Sequence, residues 1–173
     1  KDRAESAFTT NSSYSKAQNV LSPDLYPAGT TDIRYLGLWT SYTSGSGSVV
    51  FSIKKFLQDD NHDEINQFPL IRLAEMYYIL AESVALSECG QYINAVKNAR
   101  GISRAYDVGT NVTEEQRLEE LNKEYQKEFF AEGQYFYFLK RHNMKTFYRC
   151  PVENFSAYVL PVPDDEKTYG EAE

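Results

Sequence analysis

One short segment of the sequence has the chemistry of a metal site. Residues 59–64 read DDNHDE, and closely spaced carboxylate and amide oxygens are ligands that Ca²⁺ accepts. Counted as a calcium-binding loop from Asp59, however, the position that requires glycine holds Glu64 and the closing glutamate position holds Leu70. The segment therefore favours a solvated acidic turn over a bound ion, and we expect neither a metal nor a cofactor.

Residues suited to nucleophilic or acid–base catalysis are scarce. The two histidines, His62 and His142, do not stand at ligand spacing from a second candidate. There is no GxSxG segment, and the GSGS run that begins at Gly45 lacks the later glycine of a dinucleotide-binding loop. Carboxylate pairs of the glycosidase kind cannot be recognised in a linear sequence. Because nothing here requires catalysis, we expect a protein that is not an enzyme.

Aromatic residues make a stronger case for a ligand. They form 14% of the chain and include 14 tyrosines, whose apolar ring and polar hydroxyl suit partly hydrated binding surfaces. Tyr35, Trp39 and Tyr42 lie in one stretch beside a Gly/Ser run, and Trp39 is the only tryptophan. The C–H face of a sugar ring packs on an aromatic plane, so these three are our candidate ligand-binding residues. The alternative is that Trp39 covers a helical core.

Composition limits the class of protein. The 173 residues are 42% hydrophobic and 25% charged, which indicates one folded domain rather than disorder. The net charge of −7 leaves no basic surplus, so we expect neither nucleic acid nor anionic lipid as a partner. No apolar run approaches the roughly 18 residues that a membrane-spanning helix needs. Cys89 and Cys150 are far apart in sequence, and whether they pair stays open.

The elements that must position these residues differ between two parts of the chain. Residues 1–68 are rich in Ser, Thr, Asn and Gly, and short strands are predicted at residues 33–38 and 49–53 around a hairpin loop. This loop-rich segment cannot form a core alone and must pack on the rest. Residues 69–173 form a helical region that ends in an extended tail, which we expect to lie along the helices.

Helical signals dominate after Pro69. A stripe with three- and four-residue spacing predicts a first helix, and Gly90 is expected to separate it from a second. The stripe comprises Leu70, Leu73, Ala74, Tyr77, Leu80, Ala81, Val84 and Ala85. Thr113 and Gln116 form a capping box for a third helix, and an aromatic helix follows at residues 134–141. The predicted fold is mainly α, with tetratricopeptide-like α-α hairpin pairs and long irregular loops. Since such repeats usually stack in threes or more, we expect the chain to be part of a larger protein.

Three ordered segments resemble SusD/RagB-like proteins near their carboxyl end. They are PLIRLAEMYYILAE (69–82), KEFFAEGQYFYFLKR (127–141) and VLPVPDDE (159–166). TDIRY (31–35) and IKKF (53–56) resemble the segments that precede the first of these in that family. Tyr135 and Phe138 stand where the common form has Arg and Asp, which indicates an aromatic variant of the motif.

The resemblance implies a function and a location. Members are non-enzymatic lipoproteins of the Bacteroidetes outer membrane that lie over a TonB-dependent transporter at the cell surface and capture glycans or sometimes peptides. The implied partners are an oligo- or polysaccharide and that transporter, and the implied membrane attachment is a lipid anchor absent from this chain. One alternative is a tetratricopeptide-type module that holds a peptide near Lys97, Arg100 and Arg104. Another is a glycan-processing enzyme with a close carboxylate pair in a cleft.

Overall fold

The structure, a computed structural model, is mainly helical, as predicted. It describes residues 25–26, 30–37, 39–43, 49–53, 70–130, 132–144 and 162–163, with the backbone alone for Leu36, 39–43 and 49–53. In chain order the elements are α1 (Ile33–Gly37), β1 (Trp39–Thr43), β2 (Val49–Ile53), α2 (Leu73–Ser83), α3 (Leu86–Ala99), a 3-10 helix (Arg104–Tyr106), α4 (Glu114–Glu128) and α5 (Gln134–Arg141). None of the helices in these ranges combines the length and apolarity needed to cross a membrane.

Helices α2 and α3 form a hairpin across a two-residue connection. Val84 and Ala85 break the helix with extended ψ angles of 171° and 149°. The predicted break at Gly90 is wrong, because Gly90 lies inside α3. A Cβ atom at Gly90 would stand 2.5 Å from the carbonyl oxygen of Val108, so this glycine lets the chain after α3 pack closely on the helix.

Helix α4 begins at the predicted capping box, and α5 begins and ends where the sequence predicted. The hydroxyl of Thr113 accepts the N–H of Gln116 at 3.2 Å, and the amide oxygen of Gln116 accepts the N–H of Thr113 at 2.9 Å. This capping box satisfies two of the unpaired donors at the start of α4. Gly133, with φ of 90°, separates the two helices in the left-handed conformation that favours glycine.

Aromatic rings from α2, α4 and α5 form the centre of the core. The ring of Tyr125 lies 5.2 Å from the rings of both Tyr78 and Phe129 and stacks at 4.4 Å on Phe138. Small and aliphatic buried side chains surround these rings: Ala74, Ala81, Cys89, Ile93, Val96, Leu121 and Leu139. Cys89 is a free thiol whose Sγ donates to the carbonyl of Leu86 at 3.1 Å.

The predicted stripe of α2 is only partly buried. Ala74 and Ala81 face the core, whereas Leu73 is 72% exposed, and Leu80 lies on the same outer side. Successive helical positions point about 100° apart, so Leu73 and Ala74 cannot share one face. The core takes the face that carries the small alanines and Tyr78, because the tyrosine ring fills the space between helices.

The first part of the chain contains a helix where a strand was predicted. Ile33–Gly37 form α1, because the carboxylate of Asp32 accepts the N–H of Arg34 at 3.0 Å and starts a helical turn. The second predicted strand is confirmed as β2. It pairs antiparallel with β1, in a register that places Trp39 opposite Ile53 and Tyr42 opposite Val50.

Several sequence predictions fall outside the described residues. They concern the acidic segment 59–64 with His62, the Gly/Ser run at 44–48, Cys150, and all but residues 162–163 of the tail. The interpretations of these segments stay predictions.

Candidate functional site

Arg34 lies at the centre of a buried ionic network that joins α1 to α4. Its guanidinium donates to the carboxylate of Asp32 at 2.8 and 2.9 Å, to Glu124 at 2.9 Å and to Glu128 at 3.2 Å. None of these four side chains is more than 3% exposed. The planar guanidinium has five N–H donors, which allows it to satisfy several carboxylates at once. The network holds residues 30–37 against α4.

Two further arginines bring α2 and α3 to the same carboxylate. Arg100, at the end of α3, forms a bidentate pair with Glu128 at 2.6 and 2.9 Å. Arg72, at the start of α2, also binds Glu128 and donates to Glu132 at 2.7 Å. Arg72 therefore links the start of α2 to the end of α4. Four elements of the chain meet at Glu128.

The charges of this network keep its glutamates ionised. Burial alone would raise the pKa of Glu124, but the neighbouring charges of Arg34 and Lys127 lower it to about 2. Burial also opposes the ionisation of Glu128, yet its arginine partners hold its pKa below the ordinary value. Tyr78 donates its hydroxyl to Glu124 at 3.0 Å, and burial together with that negative charge raises the tyrosine pKa. Neither glutamate can therefore supply a proton near neutral pH.

A groove of about 590 Å³ opens beside the network. Its volume falls within the range of about 300 to 1,000 Å³ that is typical of small-ligand sites. One wall is the segment before α1 with Thr31, the second is the turn around the 3-10 helix with Tyr106 and Asp107, and the third is α4 with Glu120 and Lys123. The groove is thus built from three separate parts of the chain.

Polar contacts fix the turn that carries Tyr106 in place. Lys97, which is 4% exposed, donates through Nζ to the carbonyl of Tyr106 at 2.6 Å and also pairs with Glu120. The side-chain amide of Asn94 exchanges two hydrogen bonds with the main chain of Val108, at 2.9 and 2.8 Å. The turn is therefore attached directly to α3, and through Lys97 to α4.

The wall that contains Thr31 approaches the end of α3 very closely. Gly101 adopts φ of 81°, and a Cβ atom there would lie 2.8 Å from the carbonyl oxygen of Thr31. The N–H of Ile33 donates to the carbonyl of Arg100 at 2.9 Å, and the hydroxyl of Thr31 donates to the carbonyl of Gly101. Glycine is the residue that best tolerates this backbone angle and this close contact, so Gly101 allows the segment with Thr31 to pack against the end of α3.

The predicted aromatic site residues fall in two elements. Tyr35 lies in α1 and is half-buried, and its ring centroid is 5.3 Å from that of the buried Tyr26. Trp39 and Tyr42 lie in β1, for which the backbone alone is described. The structure therefore shows a partner for Tyr35, while a platform that includes Trp39 and Tyr42 stays a prediction.

Sequence reasoning missed the groove. Its walls lie far apart in the chain, since Thr31 and Gly101 are 70 residues apart. The residues of the turn, from Arg104 to Asp107, match no motif that would single them out. A short glycine-containing connection after a helix was the only local signal, and such a signal predicts a turn rather than a site.

Of the residues considered for other functions, Lys97, Arg100 and His142 form contacts with other residues of the chain. Lys97 is buried and Arg100 is paired with Glu128, which leaves Arg104 as the exposed member of that basic set. His142 lies 3.1 Å from the carboxylate of Glu82, which also accepts from Arg141 at 2.8 Å. In the described part of the chain, no three metal-ligating side chains come together.

Comparison with known proteins identifies one family. A model of the SusD family matches residues 8–171, which is nearly the whole chain and includes every element described above. The match extends beyond the segments between residues 31 and 166 that carried the resemblance. No curated protein and no solved structure gives a significant match.

Proposed function

Because the chain belongs to the SusD family of outer-membrane-associated glycan-binding proteins, we propose that it captures a glycan for import without acting on it chemically. In this proposal it works at the cell surface of a Bacteroidetes bacterium, with a TonB-dependent transporter that takes up the captured glycan. A lipid anchor on the full-length protein holds it at the outer membrane. The observation that carries the proposal is the family match over residues 8–171.

The architecture supports reversible capture. Helices α2, α3 and α4 are joined by the aromatic core and by the arginines on Glu128, so the loops that reach the surface stand on a stiff base. A preformed site loses less conformational entropy when a ligand binds. Such a base suits a protein whose task is to hold a flexible sugar chain and release it unchanged.

Trp39, Tyr35 and Tyr42 are the aromatic residues proposed to contact the glycan. The backbone places Trp39 at the start of β1, directly after the α1 segment that Arg34 anchors. An indole or phenol ring supplies an apolar surface for the C–H face of a sugar, while nearby polar groups bind its hydroxyls. Of the three, Trp39 is the first residue to test.

The electrostatics argue against the glycan-processing alternative. A glycosidase needs one carboxylic acid that is protonated near neutral pH and one carboxylate beside it. The two buried glutamates of the ionic network, Glu124 and Glu128, both have lowered pKa values and are bound by arginines. They are built to stay charged, which supports a role without catalysis.

The peptide-binding alternative finds weaker support. It requires exposed basic residues on the helices, yet Lys97 is directed to Tyr106 and Glu120, and Arg100 is directed to Glu128. Release of Lys97 would break its ion pair with Glu120, and release of Arg100 would remove one of the three arginines that compensate the buried charge of Glu128. We therefore favour a glycan over a peptide.

The test is affinity electrophoresis of the chain in gels that contain soluble starch, xyloglucan, arabinoxylan or polygalacturonate. We expect at least one polysaccharide to slow migration, and we expect Trp39→Ala to weaken that retention about tenfold. Tyr137→Ala is the matched control, since Tyr137 is an exposed aromatic residue on α5. Migration unaffected by every polysaccharide would contradict the proposed function, whereas unchanged retention of Trp39→Ala would contradict only the placement of the site.

A further inference from the structure

We propose that the groove beside the 3-10 helix is a second carbohydrate site, separate from Trp39, that takes a short stretch of an uncharged sugar chain. This inference rests on the proposed function, because it assigns a second contact for the same class of ligand. Three properties of the groove carry it. They are its preformed shape, its balanced charge and the side chains that it leaves open.

The shape is set before any ligand arrives. Lys97 ties the turn with Tyr106 to α4, and Gly101 fixes the approach of the segment with Thr31. The volume of about 590 Å³ exceeds what one small ion or water cluster requires and suits a short oligosaccharide. Because the walls are held by hydrogen bonds within the chain, a ligand need not order them.

The charges of the groove balance. Three lysines line it, and three acidic residues oppose them: Lys97, Lys123 and Lys127 against Asp32, Asp107 and Glu120. Lys97 pairs with Glu120, and Lys127 donates to Glu124 at 2.9 Å and lies 3.9 Å from Asp32. A charged ligand therefore gains little net Coulomb energy. A ligand with many hydroxyl groups finds both donors and acceptors.

The side chains left open match a sugar. Tyr106 is 64% exposed on the rim, and its link to Lys97 uses its main-chain carbonyl, so the ring is available for stacking. Lys123 pairs with Glu119 at the exposed surface, and such pairs are weak enough to exchange for a ligand hydroxyl. Asp107 is exposed and accepts only a long bond of 3.4 Å from Asn98 among its described contacts. An aromatic face, an ammonium and a carboxylate thus border one opening.

The experiment compares two groove variants with two matched surface variants. Tyr106→Ala and Lys123→Ala remove groove side chains, while Tyr137→Ala and Lys140→Ala remove exposed residues of the same types on α5, outside the groove. Each protein is run through gels that contain a series of concentrations of starch, xyloglucan, arabinoxylan or polygalacturonate. Circular dichroism and the midpoint of urea unfolding confirm that each variant is folded.

We expect the two groove variants to bind a neutral polysaccharide about five to ten times more weakly than the wild type, with both controls unchanged. Retention is expected to be the same at about 50 and about 300 mM NaCl, since no net charge is involved. In a Trp39→Ala background, Tyr106→Ala should weaken the remaining binding by a further factor of about five to ten, because the two contacts are independent.

Each contrary outcome has a distinct meaning. If the wild type is retained while the groove variants match their controls, the groove assignment is wrong and the proposed function stands. If polygalacturonate is the one polysaccharide that retains the wild type, and salt weakens that retention, the assignment to an uncharged ligand is wrong. If no polysaccharide retains the wild type, the proposed function and the groove assignment both fail.

Discussion

Arg34 is the residue that joins the three buried carboxylates of the ionic network. It holds Asp32, Glu124 and Glu128 together where water does not reach. Burial of charged groups has a large desolvation cost, and removal of one partner leaves the remaining charges buried without compensation. The sequence segment TDIRY contains this arginine, but its alternating side chains predicted a strand, and nothing local indicated that its partners lie about 90 residues later.

Replacing Arg34 by Met should therefore destabilise the protein strongly. We expect a loss of about 3 to 5 kcal/mol in the free energy of unfolding, measured by urea denaturation, or the absence of a cooperative transition. Arg141→Met is the control, because Arg141 is 47% exposed and its partner Glu82 also contacts Tyr125 and His142. That change should cost less than about 1 kcal/mol. Similar losses for the two variants would show that the buried network does not stabilise the fold.

The lowered pKa of Glu124 predicts how stability changes with pH. The folded protein holds this carboxyl at a pKa of about 2, against 4.5 as its ordinary value. The unfolded chain therefore binds a proton first as the pH falls, so the contribution is complete above about pH 5.5 and decreases from there toward pH 2. The difference in pKa corresponds to about 3 kcal/mol. Glu128, whose pKa is also lowered, adds to the same trend.

The measurement is the urea unfolding midpoint between pH 7 and pH 3 for the wild type and for Glu124→Gln. The variant should be less stable at pH 7, because Arg34 and Lys127 lose a buried partner. It should also show a flatter decline toward pH 3, since one of the titrating groups is gone. Parallel curves for the two proteins would contradict the assigned pKa.

Helix α3 contains Gly90, although glycine has a low helix propensity and alanine would be favoured in an exposed helix. In an exposed helix, Gly→Ala gains about 1 kcal/mol. At Gly90, however, the new Cβ would stand 2.5 Å from the carbonyl of Val108, so the loop or the helix must shift. We expect Gly90→Ala to lower the free energy of unfolding by about 1 to 3 kcal/mol.

Gly109→Ala is the matched control for this change. A Cβ atom at Gly109 meets nothing within 4 Å, so alanine there should be neutral or slightly stabilising. Thermal unfolding followed by circular dichroism compares the two variants. A stabilised Gly90→Ala protein would mean that the loop after α3 does not pack on the helix.

A pair of leucines compares the stability contribution of a buried position on α4 with that of an exposed position on α2. Leu121 of α4 is fully buried, whereas Leu73 of α2 is 72% exposed. Leu121→Ala should cost about 2 to 5 kcal/mol, because it leaves a cavity in the aromatic core. Leu73→Ala should change stability by less than about 0.5 kcal/mol in urea denaturation. Equal costs would indicate that the outer face of α2 is covered in solution.

Sequence patterns correctly predicted the elements whose start or type depends on residues close in sequence. The Thr113 capping box, the aromatic helix at 134–141 and the strand at 49–53 depend on residues close in sequence, and each prediction is confirmed. The break between α2 and α3 was misplaced, because glycine usually ends a helix and here serves a distant contact with Val108. Helix α1 was missed because the side chain of Asp32 starts it.

At the scale of the whole molecule, the family could be recognised from sequence but the groove could not. The ordered segments 69–82 and 127–141 contain nearly all of α2, all of α5, and Arg72 and Glu128 of the ionic network, and the family that they resemble has the helical fold that the structure shows. The groove depends on how those helices bring Thr31, Tyr106 and Lys123 to one opening. That arrangement is a property of packing between distant segments, which no local pattern contains.

Reversible glycan capture is best tested by calorimetric titration of the chain with the polysaccharide that retains it in gels. We expect saturable binding, after which the polysaccharide is recovered with unchanged chain length and no new reducing ends. Heat of binding that is absent for every polysaccharide, or a recovered glycan that has been shortened, would contradict it.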